Sequence, residues 1–174
     1  MMNNIYYTID EKYLKAVQKM DFGNNSKAKL LLEEILEDEP AYGKAHYRLA
    51  CIYYFELQEY DRAIYHFDLT MRFTPSFPLL YVHYLQLLNF LDRHEQLKSL
   101  AVKALQVEGV CKSCVMSELG LSYEKQQSFK KAGKYFREAW LHAASGCDKE
   151  DIESHIERVN KKMRHLQPYR YEVK

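Results

Sequence analysis

Apolar residues recur along this chain with the period of amphipathic helices, and the most informative stretch runs from Leu119 to Ala139. There Leu119, Gly120, Tyr123, Ala132, Phe136 and Ala139 alternate small side chains with large ones. As a helix, a turn and a second helix, Gly120 and Ala132 allow two antiparallel helices to approach closely. Leu119, Tyr123 and Phe136 fill the space beside that contact, and Ala139 leaves room for whatever packs next. Such a hairpin cannot bury its apolar face alone, which predicts that it recurs.

The pattern recurs three more times. One hairpin length before Ala132 lies Leu97, and before that Ala63 and Ala28. Four residues beyond each stands Leu32, Phe67, Ala101 or Phe136, and seven beyond stands Ile35, Thr70, Ala104 or Ala139. Pro40, Pro75 and Gly109 follow in three of the copies and predict helix ends, because proline cannot continue a helix and glycine accepts a left-handed cap. Leu49–Ala50–Tyr53 and Leu119–Gly120–Tyr123 mark the first helices of two copies; the others offer Lys15–Ala16–Lys19 and Tyr84–Leu85–Leu88.

These residues resemble the tetratricopeptide repeat. The second copy matches at Ala45, Leu49, Ala50, Tyr53, Tyr60, Ala63, Ile64, Phe67 and Pro75, with one extra residue assigned to its turn. The fourth also matches well. The third carries bulky Leu85 and Leu97 at the two small positions, which predicts a slight splay, and the first rests on Gly23, Ala28, Leu32, Ile35 and Pro40. The predicted fold is all-α, an α-solenoid of about four hairpins closed by a C-terminal capping helix. The expected organisation is a lead-in over 1–8, repeats over about 9–42, 43–77, 78–112 and 113–146, a capping helix over 147–166 and a tail over 167–174. Thr8 and Glu11 have capping-box spacing ahead of the first helix. Asp148 is placed to cap the last, whose apolar residues are Ile152, Ile156, Val159 and Met163.

Composition narrows the function classes. A net charge of +1 over 174 residues supplies no bulk attraction to nucleic acid or membrane. The acidic run Glu33, Glu34, Glu37, Asp38, Glu39 and the basic residues Lys130, Lys131, Lys134, Lys161, Lys162 and Arg164 read as solvated helix surface. The longest apolar stretch, Pro78 to Leu91, is interrupted by His83, Gln86 and Asn89 and is too short to span a bilayer. The first residues lack a basic segment followed by an apolar one, so the expected location is cytoplasmic. Fifteen tyrosines and eight phenylalanines are the unusual feature; tyrosine joins a rigid apolar ring to a hydroxyl and suits protein contact surfaces.

The resemblance implies that the first helix of each hairpin lines a concave groove. Carried over residue by residue, it places Tyr13, Tyr47, Arg48, Tyr54, Phe55, His83, Gln86, Asn89, Phe90 and Glu124 there. That set offers aromatic anchoring with a few polar groups to fix orientation, which suits a protein or peptide segment. The clamp for acidic chaperone tails found in some relatives is not expected, since its five positions hold Tyr13, Val17, Arg48, Leu79 and His83.

Cys111 and Cys114 form a C-x-x-C ahead of the fourth hairpin, a spacing that serves ordinary thiols, redox pairing or half of a zinc site. His142 and Cys147, at the far end of the same hairpin, complete a conceivable ligand set. His46, His66 and His94 fall singly in amphipathic helices and read as partly exposed packing residues. No phosphate loop, nucleophile elbow or paired carboxylates occur, so neither an enzyme nor a cofactor is expected. The sequence therefore predicts a non-enzymatic protein-interaction module: an adaptor, scaffold or small chaperone. A structural subunit of a larger bacterial assembly or secretion machine, and a redox- or zinc-responsive switch at Cys111 and Cys114, are the alternatives. Self-association or membership of a larger complex is compatible with either.

Overall fold

The structure, a computed structural model, describes residues 8–144 and 146–166, and of residues 146–148 only the backbone course. Residues 1–7, the tail after Leu166, the side chain of the expected cap Asp148 and the Cys147 thiol lie outside the described residues. The fold class is all-α, a helical-repeat solenoid. Helices α1 (Ile9–Asp21) and α2 (Asn25–Asp38) form the first hairpin. α3 (Gly43–Cys51), prolonged by a π-helical turn over Ile52–Glu56, and α4 (Tyr60–Phe73) form the second. α5 (Pro78–Phe90) and α6 (His94–Ala104) follow, then α7 (Lys112–Lys125), α8 (Phe129–His142) and the single helix α9 (Gly146–His165). The last helix thus begins two residues before Asp148, and α6 stops at Ala104, five residues short of Gly109. The chain divides into two compact units at Leu80 and Tyr81, within α5.

In each second helix the three recurring positions are the ones that disappear from solvent. Ala28, Ala63, Leu97 and Ala132 are fully buried, as are Ile35, Thr70, Ala104 and Ala139. Leu32, Phe67 and Phe136 are also fully buried, and Ala101 nearly so. Burying a ring or branched side chain of this size contributes about 2–3 kcal/mol, so these positions carry much of each hairpin's stability. Thr70 satisfies its hydroxyl by donating to His66 O at 2.8 Å, which lets a polar residue occupy an apolar site.

The clearest trace of the repeat is in the turns. Gly23, Gln58, Asp92 and Gln127 all take a left-handed φ of 55–71° and are spaced 35, 34 and 35 residues apart. In three hairpins the next N–H reaches back to the same carbonyl: Asn24 to Lys19 O, Arg93 to Leu88 O and Ser128 to Tyr123 O, each at 2.8–2.9 Å. These bonds close the first helix with a left-handed cap, a geometry that favours glycine. Only the first hairpin has glycine there. The N-terminal cap of α1 has the expected form, with Glu11 N–H donating to Thr8 Oγ1 and Thr8 N–H donating to Glu11 Oε2.

In the second unit α9 packs on α8 through Ile152 and Val159, which share a core with Ala132, Phe136, Ala139 and Ala143. A polar tether adds to this. Glu124, at the end of α7, is buried and accepts from Arg158 Nε at 2.8 Å, Arg158 Nη2 at 2.6 Å and Lys162 Nζ at 2.8 Å. The Arg158 hydrogen bonds, reinforced by Lys162 and opposed by desolvation, hold the Glu124 carboxyl down to about 2. In the first unit Lys12 on α1 pairs with Asp38 on α2 at 2.7 Å, giving one member of the acidic run a cation across the hairpin.

Three outcomes follow. A Cβ at position 120 would stand 2.6 Å from Phe136 Cε1, and Phe136 is fully buried with no room to turn aside. Gly120→Ala should therefore destabilise by about 1–3 kcal/mol, read as a lowered denaturation midpoint. Gln127→Gly should raise the midpoint, with a gain of about 1 kcal/mol, because it removes a side chain from a left-handed residue. Glu124 has a depressed folded-state pKa, so its contribution is intact above about pH 4.5, the ordinary value, and is lost as pH falls toward 2. Glu124→Gln should cost about 1–3 kcal/mol at neutral pH and flatten the acid limb of stability between those values, measured by urea unfolding across pH.

Candidate functional site

In the fourth hairpin the small residue of the second helix, Ala132, stands twelve positions after that of the first, Gly120; in the second hairpin Ala63 stands thirteen positions after Ala50. The left-handed turn residue stands five before the small residue in both. The extra residue is therefore not in the turn, where the sequence reading placed it, but inside the first helix. There it is absorbed as the π-helical turn, in which Leu57 N–H bonds to Ile52 O at 3.1 Å and Glu59 N–H to Tyr53 O at 2.9 Å. π-turns of this kind are common at functional sites. Phe55 is 50% exposed and Leu57 44% exposed. The Tyr54 and Phe55 rings lie 4.3 Å apart, and Tyr60 meets Tyr54 edge-on at 6.3 Å.

Of the other predicted residues in this unit, Tyr13 and Arg48 come together. Arg48 Nε donates to the Tyr13 hydroxyl at 3.4 Å, and the Tyr13 ring tilts against Tyr42 at 5.6 Å. Tyr47 corrects the expectation: it is 2% exposed, with its ring edge-on to Phe77 at 4.7 Å and tilted against Phe67. A ring held that way is core and offers no contact surface.

In the second unit Phe90 is 55% exposed, and His83 and Gln86 are half-buried. Asn89 and Glu124 depart from the expectation. Asn89 is buried, and its Nδ2 donates inward to Glu118 Oε2 at 2.7 Å and Glu118 O at 3.1 Å. Burial raises the Glu118 carboxyl above its ordinary range against the opposing Asn89 hydrogen bond. Lys125 bridges the same region by donating to Asn89 O and to Asp92 Oδ1. Glu124 is committed to Arg158 and Lys162, so its charge is spent holding α9. Both are internal ties where recognition groups were expected.

The histidines are also less solitary than the sequence suggested. His46 is buried, with its Nε2 2.9 Å from Pro40 O and its Nδ1 2.9 Å from His66 Nδ1. A carbonyl accepts only, so His46 donates there, its Nδ1 is the bare nitrogen and His66 supplies the shared proton. Burial, then the neighbouring His46 and Arg62, push His66 down to about 4, which keeps the pair neutral near pH 7. His94 Nδ1 lies 2.9 Å from Ser122 Oγ. Nothing in the amphipathic pattern marks His46 and His66 as partners, because they stand on different helices.

Cys111 is the N-cap of α7, and it forms a disulfide with Cys114 across the first turn of that helix. Among the described residues no group of three or more histidine, cysteine or acidic side chains is arranged to hold a metal ion, and His142 is exposed at the end of α8. Cys51 is a buried thiol, pushed up to about 11 by that burial. Among the described residues no helix is long and apolar enough to cross a membrane.

No family model and no curated protein matches the chain. Solved structures do. The chain superposes on PilF of Pseudomonas aeruginosa with a TM-score of 0.76 at 20% identity, over 90% of this chain and 69% of that one. It superposes on PilW, described as a type IV pilus biogenesis factor, with a TM-score of 0.70 at 17% identity, over 88% of this chain and 78% of PilW. For MamA of Desulfovibrio magneticus the TM-score is 0.66 at 14% identity, over 92% and 97%. At these identities the likeness is one of fold. With the recurring buried positions and the left-handed turns at 35, 34 and 35 residues, it establishes that this chain has the tetratricopeptide-repeat fold.

Proposed function

We infer that the protein is a non-enzymatic interaction module that holds a segment of a protein partner on the faces of its first helices. In tetratricopeptide-repeat proteins those faces line the concave groove. The observation that carries this reading is the pair of adjacent rings Tyr54 and Phe55 in the π-helical turn, with Phe55 half exposed and Leu57 beside it. Preformed helices lose little entropy on binding, so exposed rings convert burial into affinity efficiently. Phe90 offers a second anchor of the same kind in the other unit, and Arg48 with Tyr13 offers a polar edge in the first. The working set is thus narrower than the ten predicted residues, because Tyr47, Asn89 and Glu124 are internal.

Two further readings each have an observation behind them. PilW is described as a biogenesis factor for type IV pili, and the shared fold supports a place as a subunit of a larger bacterial assembly. The Cys111–Cys114 disulfide supports a chain that responds to thiol redox conditions.

Replacing Tyr54 and Phe55 together with alanine should weaken capture of the native partner by roughly tenfold or more, with helicity unchanged by circular dichroism. Phe90→Ala should weaken it separately. Partner recovery equal to wild type in pull-downs with both variants, at preserved helicity, would overturn the first-helix reading.

A further inference from the structure

Cys111 and Cys114 stand at the start of the fourth hairpin, with their Cα atoms 5.2 Å apart. Their bond joins residues that the first turn of α7 already holds near each other. It ties no two elements together and closes a loop of four residues, the short limit at which a cross-link removes least freedom from the unfolded chain. A bond of this kind is poorly suited to be a structural staple and is open to reversible use.

The two sulfurs are not equivalent. Cys111 is exposed, whereas Cys114 is half-buried within the helix. Cys111 is also the N-cap of a helix of 14 residues, and the backbone N–H of Cys114 donates to its Sγ at 3.2 Å. Unpaired N–H groups and the aligned peptide dipoles at a helix N-terminus stabilise negative charge on a sulfur in this position. Exposure lets an incoming thiol reach Cys111, and the N–H holds the thiolate that results when Cys111 later departs. Among the described residues nothing gathers around the pair as a metal site.

We propose that Cys111 and Cys114 form a thiol–disulfide exchange site for small thiols, in which Cys111 carries the mixed disulfide and Cys114 is the resolving sulfur. This deepens the redox-responsive reading and rests on it. In the reductive direction a small thiolate attacks Cys111 Sγ. The Cys111–Cys114 bond breaks, its electron pair leaves on Cys114, and Cys114 takes a proton. A second small thiolate then attacks the outer sulfur of the mixed disulfide and releases Cys111 as a thiolate. The net change oxidises two small thiols to their disulfide and reduces the protein disulfide to two thiols. The oxidative direction retraces these steps, with Cys114 displacing the small thiol from Cys111.

The test uses the full chain carrying Cys147→Ser, which leaves buried Cys51 as the remaining other thiol. Equilibration in glutathione buffers of varied reduced-to-oxidised ratio, followed by alkylation and intact mass measurement, should show two thiols protected and released together. Two thiols that stay reactive at every ratio, or stay protected at every ratio, overturn both the redox-responsive reading and the exchange site. The second arm reduces Cys114→Ser and Cys111→Ser and adds oxidised glutathione. Mixed-disulfide formation should be at least about tenfold faster at Cys111 than at Cys114. Equal rates, or faster reaction at Cys114, overturn the assignment of Cys111 while leaving the reversible disulfide standing. If Cys114→Ser loses helicity, Cys114→Ala replaces it, and the rate at Cys111 is read with the same reagent.

Discussion

A small residue on one helix facing a large one on its partner is the constraint from which the rest of this structure follows. Gly120 leaves the space that Phe136 fills, so closely that a single added carbon at position 120 would overlap the ring. In the second hairpin Gly43, at the start of α3, makes another close approach, since a Cβ there would overlap the Thr74 side chain at the C-terminal cap of α4. Contacts of this closeness fix how far apart two helices lie, and that separation determines which residues on each helix remain outside. The buried set recurs at equivalent places in all four hairpins, although the third reverses the sizes, with Leu85 and Leu97 at the small positions and Ala101 at the large one. Stability is then a sum of local terms, and each hairpin is able to vary on its outer faces without disturbing the others.

That division explains which features were legible in the sequence. Positions such as Ala28, Ala63, Leu97 and Ala132 carry a period, and a period is visible without coordinates. The Thr8–Glu11 cap was legible for the same reason: its chemistry lies within three residues. What the period leaves undetermined was harder to place. Tyr47 shares its register with recognition residues of the fold but is drawn into the core by Phe67 and Phe77, an outcome decided by side chains 20 and 30 residues away. Asn89 and Glu124 turn inward because Glu118, Arg158 and Lys162 reach them from other helices. A spacing rule contains no information about those partners. The His46–His66 pair belongs to the same class.

The extra residue of the second hairpin shows a different limit. Its existence could be counted from Ala50 and Ala63, but its place could not. A turn tolerates insertion easily in general, yet this turn is held by a left-handed residue at Gln58 whose distance from Ala63 equals that of Gln127 from Ala132. The turn geometry is thus the stiffer element, and the helix takes the insertion as one i-to-i+5 bond from Leu57 to Ile52. The physical order of stiffness is the reverse of the usual expectation for loops. The residues that flank the insertion, Phe55 and Leu57, stand in solvent, while Tyr54 is half-buried.

The same logic bears on where regulation can be built into such a chain. Since each hairpin is stabilised by its own contacts, a covalent change that pulled two helices apart would act against a full set of buried residues, costing several kcal/mol at positions like Phe136. A bond confined to one turn avoids that opposition. The Cys111–Cys114 bond lies within the first turn of α7, at the end of that helix away from Glu124 and its cations, so it opens or closes without disturbing the tether to α9. At the N-terminus of α7 the Cys114 N–H donates to Cys111 Sγ and is placed to hold a thiolate there, which makes both oxidation states of the pair compatible with an intact hairpin. Local stability, which makes the repeat easy to extend, is also what allows one turn of it to change chemical state while the scaffold stays folded.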